Sequence, residues 1–232
     1  MGVQYTTMSR LRLAPSLFAL AFVGFRPAQA QGRIIDEGTF AVTRAGAPHT
    51  ENFRIARIEN GLIRATGQVV GPAQRVSSSL TVDSLGNPVA YDVTVTEKGV
   101  KTANVTAMGG SGRLSAKSSN QRGDESMREY PLTLGHSILL DDGLVHQLYV
   151  ATLGKRSGSV NVIDPRASHT GTATLSAMGL EPVEIGGKSV TATHYSLGGP
   201  VKRDFWVDDS GRLLRVEIPS QQLVATREEL PR

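Results

Sequence analysis

The chain has 232 residues, with 25 basic and 21 acidic side chains and no cysteine. Disulfides are excluded as a source of stability, and a chain of this length buries a core large enough to do without them. The basic excess is not a nucleic-acid signature, because no basic block supplies the concentrated positive face that phosphate backbones require.

The first thirty residues read as an export leader. Arg10 and Arg12 form a positive start, LAPSLFALAFVGF (13–25) an apolar stretch, and RPAQA a small-residue cleavage site before Gln31, with Met8 as an alternative start. Thirteen residues interrupted by Pro15 are too short to span a bilayer, which takes roughly 20 apolar residues. No cysteine follows to carry a lipid anchor. The expectation is a periplasmic or secreted bacterial protein released by a Sec-type signal, with no transmembrane segment after cleavage and residues 31–232 as a single β-rich domain. The leader takes Arg10, Arg12 and Arg26 with it and no acidic residue, so three of the 25 basic side chains go and 22 face 21 acidic ones.

From Gly38 onward apolar and polar residues alternate in short runs, broken by Gly, Asn or Pro about every ten residues, the pattern of antiparallel strands joined by hairpins. The first half predicts strands at 39–44, 51–58, 62–70, 77–83, 89–97, 101–108 and 113–118. Asn60-Gly61 between two of them predicts a type I′ turn, since both central residues must take positive φ. The stretch 109–126, GGSGRLSAKSSNQRGDES, is poor in apolar residues, which predicts a mobile loop in part of it. DDGLVHQLYVATLG (141–154) opens on Asp and closes on Gly, which predicts a capped helix, two further strands being the alternative. Its apolar residues run most of the way around, so such a helix needs cover on more than one side. The second half predicts strands at 158–163, 171–178, 188–197, 203–208, 212–218 and 222–228. The whole is a mainly β fold: a strongly curved antiparallel sheet, half-barrel or open barrel, of about 11–13 strands around one central helix.

One pattern occurs twice. Setting LTVDSLGNPVAYDV (80–93) on FWVDDSGRLLRVEI (205–218) brings Asp83 onto Asp208 and Gly86 onto Gly211, with Leu80, Val82, Val89, Tyr91 and Val93 on Phe205, Val207, Leu214, Val216 and Ile218. Alternating faces make each set the apolar side of one hairpin, which is a core pattern. The departure is on the other side, where Trp206, the only tryptophan, replaces Thr81 and stands beside Arg215. Covering an indole removes about 150–250 Å² from water, worth roughly 4–6 kcal/mol, so something should lie over it. The central helix or the Arg215 stem would serve. A ligand would serve too: pairing 188–197 with 203–208 through Gly198-Gly199 in even register brings Tyr195, Thr191, Thr193 and Lys202 to Trp206 and Arg215. That set of six suits an amphiphile with an anionic head.

Catalytic and cofactor motifs are not legible. EIGGKSVT (184–191) has Pro182 where a phosphate loop needs glycine, and GHSIL (135–139) lacks the last glycine of a nucleophile elbow. His49, His136, His146, His169 and His194 have no metal-ligand spacing, DDSG lacks the alternating oxygens of a calcium loop, and no cofactor is implied. Asn104, Val105 and Thr106 form a sequon without meaning in a bacterial envelope.

The leader, GNPVAYDV, LDDGLVHQLYV, GLEPVEIGGKSVTATHYSL and FWVDDSGRLLRVEI together resemble uncharacterised exported bacterial proteins grouped as domains of unknown function. The resemblance implies a sheet similar to the curved half-barrel of periplasmic lipoprotein carriers, and it transfers no catalytic or lipid-contact residue. Three readings follow: an envelope protein binding a lipid or other amphiphile in the hollow of its sheet, a module holding an envelope protein along an edge strand or loop 109–126, and a hydrolase with a non-sequential site. The first predicts an apolar pocket at Trp206, the second a filled interior, the third converging His and acidic side chains.

Overall fold

The computed structural model describes residues 1–2, 32–155 and 157–232; past Gly2 the expected leader lies outside the described residues. The strands in chain order are β1 Arg33–Arg44, β2 Ala47–Arg57, β3 Ile63–Val70, β4 Gln74–Val82, β5 Pro88–Glu97, β6 Val100–Gly110, β7 Arg113–Asn120 and β8 Glu125–Pro131. They continue with β9 Ser137–Leu139, β10 Gly158–Asp164, β11 His169–Ile185, β12 Lys188–Gly198, β13 Arg203–Val207, β14 Leu213–Ile218 and β15 Leu223–Arg227. All fifteen form one sheet in the order β8-β7-β6-β5-β4-β3-β2-β1-β15-β14-β13-β12-β11-β10-β9. Neighbours are antiparallel except β9 and β10, which are parallel. The β1–β15 ladder joins the two halves of the chain, Phe40 opposite Arg227. No helix among the described residues is long and apolar enough to cross a membrane.

The sheet is open but curls until β9, at one end of the order, packs against β5 near the other. Alternation accounts for the curl's contents: Phe40, Val42, Phe53, Ile55, Ile63, Ala65, Leu80, Tyr91, Val93, Phe205 and Val216 all project to one buried face. The β2–β3 turn is built as its Asn-Gly predicts, with φ +60° at Asn60 and +74° at Gly61.

Two expectations are corrected. The expected strand 113–118 is present as β7, and the rest of 109–126, where a mobile loop is expected, is mostly ladder too: β6, β7 and β8 pair through it, with tight turns at Ser111-Gly112 and 121–122. Its low apolar content reflects a wing wet on most of both faces, where Leu114, Ala116 and Tyr130 suffice to anchor the inner side. The segment expected as an α-helix is a tighter 3-10 stretch, Val145–Lys155, ended by extended Leu153 and left-handed Gly154. Asp141 does not cap it. Its side chain turns onto Gly143 N, while the free N–H groups of Val145 and His146 donate to Glu51 of β2, at 2.9 and 2.8 Å. A carboxylate arriving from 94 residues away does the capping. The segment is nonetheless covered all round, as its apolar girth requires: Leu144 to Ala151 are all buried, against β2, β3, β9 and β14.

The repeated pattern is the same device used twice. Asp83 Oδ1 accepts from Leu85 N and Asn87 N, and Asp208 Oδ1 from Ser210 N and Arg212 N, each at 2.9 Å. Asp83 N–H donates to Asn87 O and Asp208 N–H to Arg212 O, and a β-bulge follows Thr81 in one ladder and Trp206 in the other. The bulge turns Leu214 onto the Trp206 side and leaves Leu213 in the main core, shifting the expected core face by one residue there.

Candidate functional site

The structure divides the five residues expected around Trp206. Leu197 pairs with Arg203, so five residues, 198–202, form the loop, and this odd count reverses the parity. His194 therefore stands opposite Trp206, while Tyr195, Thr193 and Thr191 take the other face, Tyr195 stacking on Phe205 at 5.5 Å in the main core. Arg215 does pair with Trp206, its guanidinium 5.5 Å from the ring, but it is bound to Glu217 through Nε and Nη2. Lys202 pairs with Asp204 at 2.8 Å.

What covers the indole is the chain itself. The long hairpin of β11 and β12 bends over the outer face of β13 and β14, and Val183, Ile185 and Ala192 pack with Leu214 around Trp206, which keeps 8% of its surface. The indole N–H donates to Glu181 Oε2 at 2.9 Å, and His194 Nδ1–H donates to Glu181 Oε1 at 2.9 Å while stacking on the indole at 4.5 Å. His194 Nε2 lies 3.4 Å from Asp204 Oδ1. The bonds from Trp206 and then His194 hold the Glu181 carboxyl below its ordinary range. Asp204 is also held low: burial would raise it, but hydrogen bonds from Lys202 and Ser196 outweigh that. This is a latch that holds the hairpin down, and its one aromatic surface is already occupied.

The other acid–imidazole pair is sealed in the interior. Glu51 and His146 are at most 1% exposed, His146 Nδ1–H donates to Glu51 Oε1 at 2.6 Å, and Nε2 is buried without a partner among the described residues. Gly67 of β3 makes room for this ring.

Two larger recesses lie at the rims. One, about 470 Å³, runs beside Asp36, Gly38 and Arg227. Its buried cation is fully committed: Arg227 donates to both oxygens of Asp36 at 2.8 and 2.9 Å and to Glu37 O, and lies 5.1 Å from the Phe53 ring. The second, about 350 Å³, is lined by Arg44 at the end of β1, Ala47, Pro48 and His49 entering β2, Val69, the Gly71–Ala73 turn, Gln74, Val76, Gly143 and Arg166.

Charge is distributed unevenly in the second recess. Arg166 is locked to both oxygens of Asp141, which also accepts from Tyr91 OH at 2.8 Å. Burial would lower the Arg166 pKa, yet its bond to Asp141 raises it. Arg44 has no such partner. It donates Nη2–H to Asp142 O at 2.5 Å, its Nε is buried without a partner, and no carboxylate among the described residues comes within ion-pairing distance. Burial and then the nearby Arg166 charge lower its pKa, against the opposing pull of Asp141, Asp142 and Glu51. Burial also lowers the pKa of His49. Asp164, behind Arg166, is raised to about 6 by burial and by Asp141. The result is one cation without an ion-pair partner beside a mainly apolar wall.

Sequence reasoning missed this place. Arg44, Gly71-Pro72 and Arg166 sit in three turns far apart in the chain, and only the closing of the sheet brings them together.

Fold and site define a β-sheet protein of open-barrel form with recesses at its rims. Residues 93–227, from within β5 to the end of β15, match a family described as a domain of unknown function (DUF6134), and the chain belongs to that family. Its fold is similar to that of a β-barrel-like protein of another domain of unknown function, DUF1849, from Brucella abortus. The TM-score is 0.53 at 10% identity, covering 86% of this chain and 98% of that one. No curated protein matches this chain.

Proposed function

We propose that this protein is an exported, non-enzymatic module of the bacterial envelope that binds an amphiphile with an anionic head. Export rests on the order of charge, apolar stretch and small-residue site in residues 1–30. The hollow of the sheet is filled by the chain's own segment Val145–Lys155 and the side chains around it, so the ligand's seat is the rim recess at Arg44 rather than the hollow or Trp206. A half-buried guanidinium with no counter-ion, set against Pro48, Val69, Pro72 and Val76, is the observation that carries this reading. Convergent polar groups in a mainly apolar recess are what small-ligand sites are built from. The two acid–imidazole pairs support a binding rather than a hydrolytic role: one is sealed inside, and the other faces carboxylates through both ring nitrogens.

Calorimetric titration of the mature chain with anionic, neutral and cationic amphiphiles of equal chain length tests the proposal. The anionic one binds with 1:1 stoichiometry, and Arg44→Gln weakens it at least about tenfold, the loss of a charge-assisted contact. Equal heats for all three would overturn it.

A further inference from the structure

Resting on that reading, we infer that the recess takes a singly charged, single-chain amphiphile of about twelve heavy atoms, the class of medium-chain carboxylates, with Arg44 as the residue that selects the head. Size comes from the volume. A recess of about 350 Å³, at the ~30 Å³ that a water-sized heavy atom occupies in a liquid, holds about twelve such atoms. That is a carboxylate and about nine further carbons held within the recess.

Charge comes from the electrostatics around it. Arg166 is paired with Asp141, burial disfavours the charged form of His49, and Arg44 alone of the cations lining the recess has no ion-pair partner. One positive charge without a partner fits one negative charge. A doubly charged head would leave its second charge near Asp141 and Asp142, which already lie close enough to act on Arg44. The planar guanidinium and the two oxygens of a carboxylate are matched in shape. The wall is matched to the chain: Ala47, Pro48, Val69, Pro72 and Val76 offer no hydrogen-bonding side chain, and the one uncharged polar side chain beside them, Gln74, donates to Glu97. Gly143 belongs to the same design, since a Cβ there would strike the Arg166 guanidinium that pairs with Asp141.

The test is a chain-length series of fatty carboxylates titrated calorimetrically into the mature chain, alongside the alcohol and amine of ten carbons and vesicles of phosphatidylglycerol. Affinity rises about fourfold per methylene while the chain is being buried, then stops rising near ten carbons. The alcohol and amine bind at least about tenfold more weakly, and Arg44→Gln removes that preference. Ala73→Trp fills the recess from an exposed turn without disturbing the core, and it abolishes binding while the protein unfolds at its usual temperature. Affinity that climbs steadily past fourteen carbons, or vesicles preferred over the short acid, overturns the size assignment and leaves the amphiphile reading standing. Binding indifferent to Arg44→Gln overturns the assignment of the head. Failure of every chain-bearing anion to bind overturns the underlying reading itself.

Discussion

Gly67 offers the sharpest test of how the interior is organised. It lies in β3 opposite Ser78, and a Cβ built on it would overlap the His146 imidazole, coming within 2.5 Å of Nδ1. That ring has nowhere to go. It is fully buried, stacked 6.4 Å from Phe53 and bonded to Glu51, which also receives the two N–H groups that open the inner segment. Gly67→Ala must therefore either strain the packing, at about 1–3 kcal/mol, or swing the ring off Glu51 and leave a buried carboxylate short of a donor, at about 3–5 kcal/mol. A loss of about 3–4 kcal/mol lowers the melting temperature of a domain this size by roughly 6–16 °C. Urea unfolding followed by Trp206 emission and far-ultraviolet dichroism measures it as a shift of midpoint at constant slope. The reasoning also fixes the double variant: with His146→Ala the new methyl enters vacated space, so the two changes couple by at least about 2 kcal/mol. A Gly67→Ala protein within about 0.5 kcal/mol of wild type, or equally damaged in the His146→Ala background, refutes the account.

Other outcomes follow from the same geometry. Asp164, raised to about 6, binds its proton more tightly folded than unfolded, so its contribution is fully present at low pH and declines as pH climbs from about 4 to 6. Asp164→Asn, which keeps the acceptor for Ala167 N, therefore stabilises the protein by on the order of 2 kcal/mol at pH 7.5 and hardly at all at pH 4, read from melting temperatures at both. Glu181 and Asp204 act in the opposite sense: both are held low, so their stabilisation is present above the ordinary carboxylate range and is lost on acidification below it. Acid should release the β11–β12 hairpin first, seen as a red shift of Trp206 emission before the far-ultraviolet signal falls. At neutral pH the same emission stays constant when a ten-carbon carboxylate binds, because the indole and the Arg44 recess share no residue. A change in emission proportional to bound ligand would put the seat back at Trp206. Amino-terminal sequencing of protein recovered from the periplasm should begin at Gln31, and a chain still starting at Met1 or Met8 there would sink the leader assignment.

The frame was legible because strand alternation has a period of two and needs no long-range knowledge. Asn60-Gly61 and the Asp turns at 83 and 208 were legible for a local reason as well, since their backbone and side-chain bonds close within five residues. What escaped are quantities that only pairing decides. A loop of five residues, 198–202, in place of the expected two-residue Gly198-Gly199 turn, turned Tyr195 inward and set His194 on Trp206. The bulge after Trp206 moved Leu214 to the outer face. The inner segment's cap comes from Glu51, whose place in β2 reads as an ordinary polar position until the sheet curls over it. Strands 101–108 and 113–118 of the wing were legible, but β8 beyond them is wetted on both faces, so the hydrophobic signal that marks a strand is absent where the ladder still forms.

A filled hollow has a consequence for where recognition can evolve. Inside the curl each side chain is held by several others, so a change such as Gly67→Ala is felt as a loss of stability before it can alter a ligand. At the rim, Ala73 lies in an exposed turn and Arg44 ends a strand, and neither carries part of the main core. Arg44 is a charge taken partly out of water with only a backbone carbonyl, Asp142 O, as its hydrogen-bond partner and no ion pair. Replacing it by Met should therefore raise the melting temperature of the unliganded chain by a few degrees while removing anion binding, the opposite signs expected of a residue kept for recognition. A structural residue would lose on both measures. An Arg44→Met protein that is less stable and still binds would show that the guanidinium serves the frame through Asp142 O, and that the recess beside it is only a gap between turns.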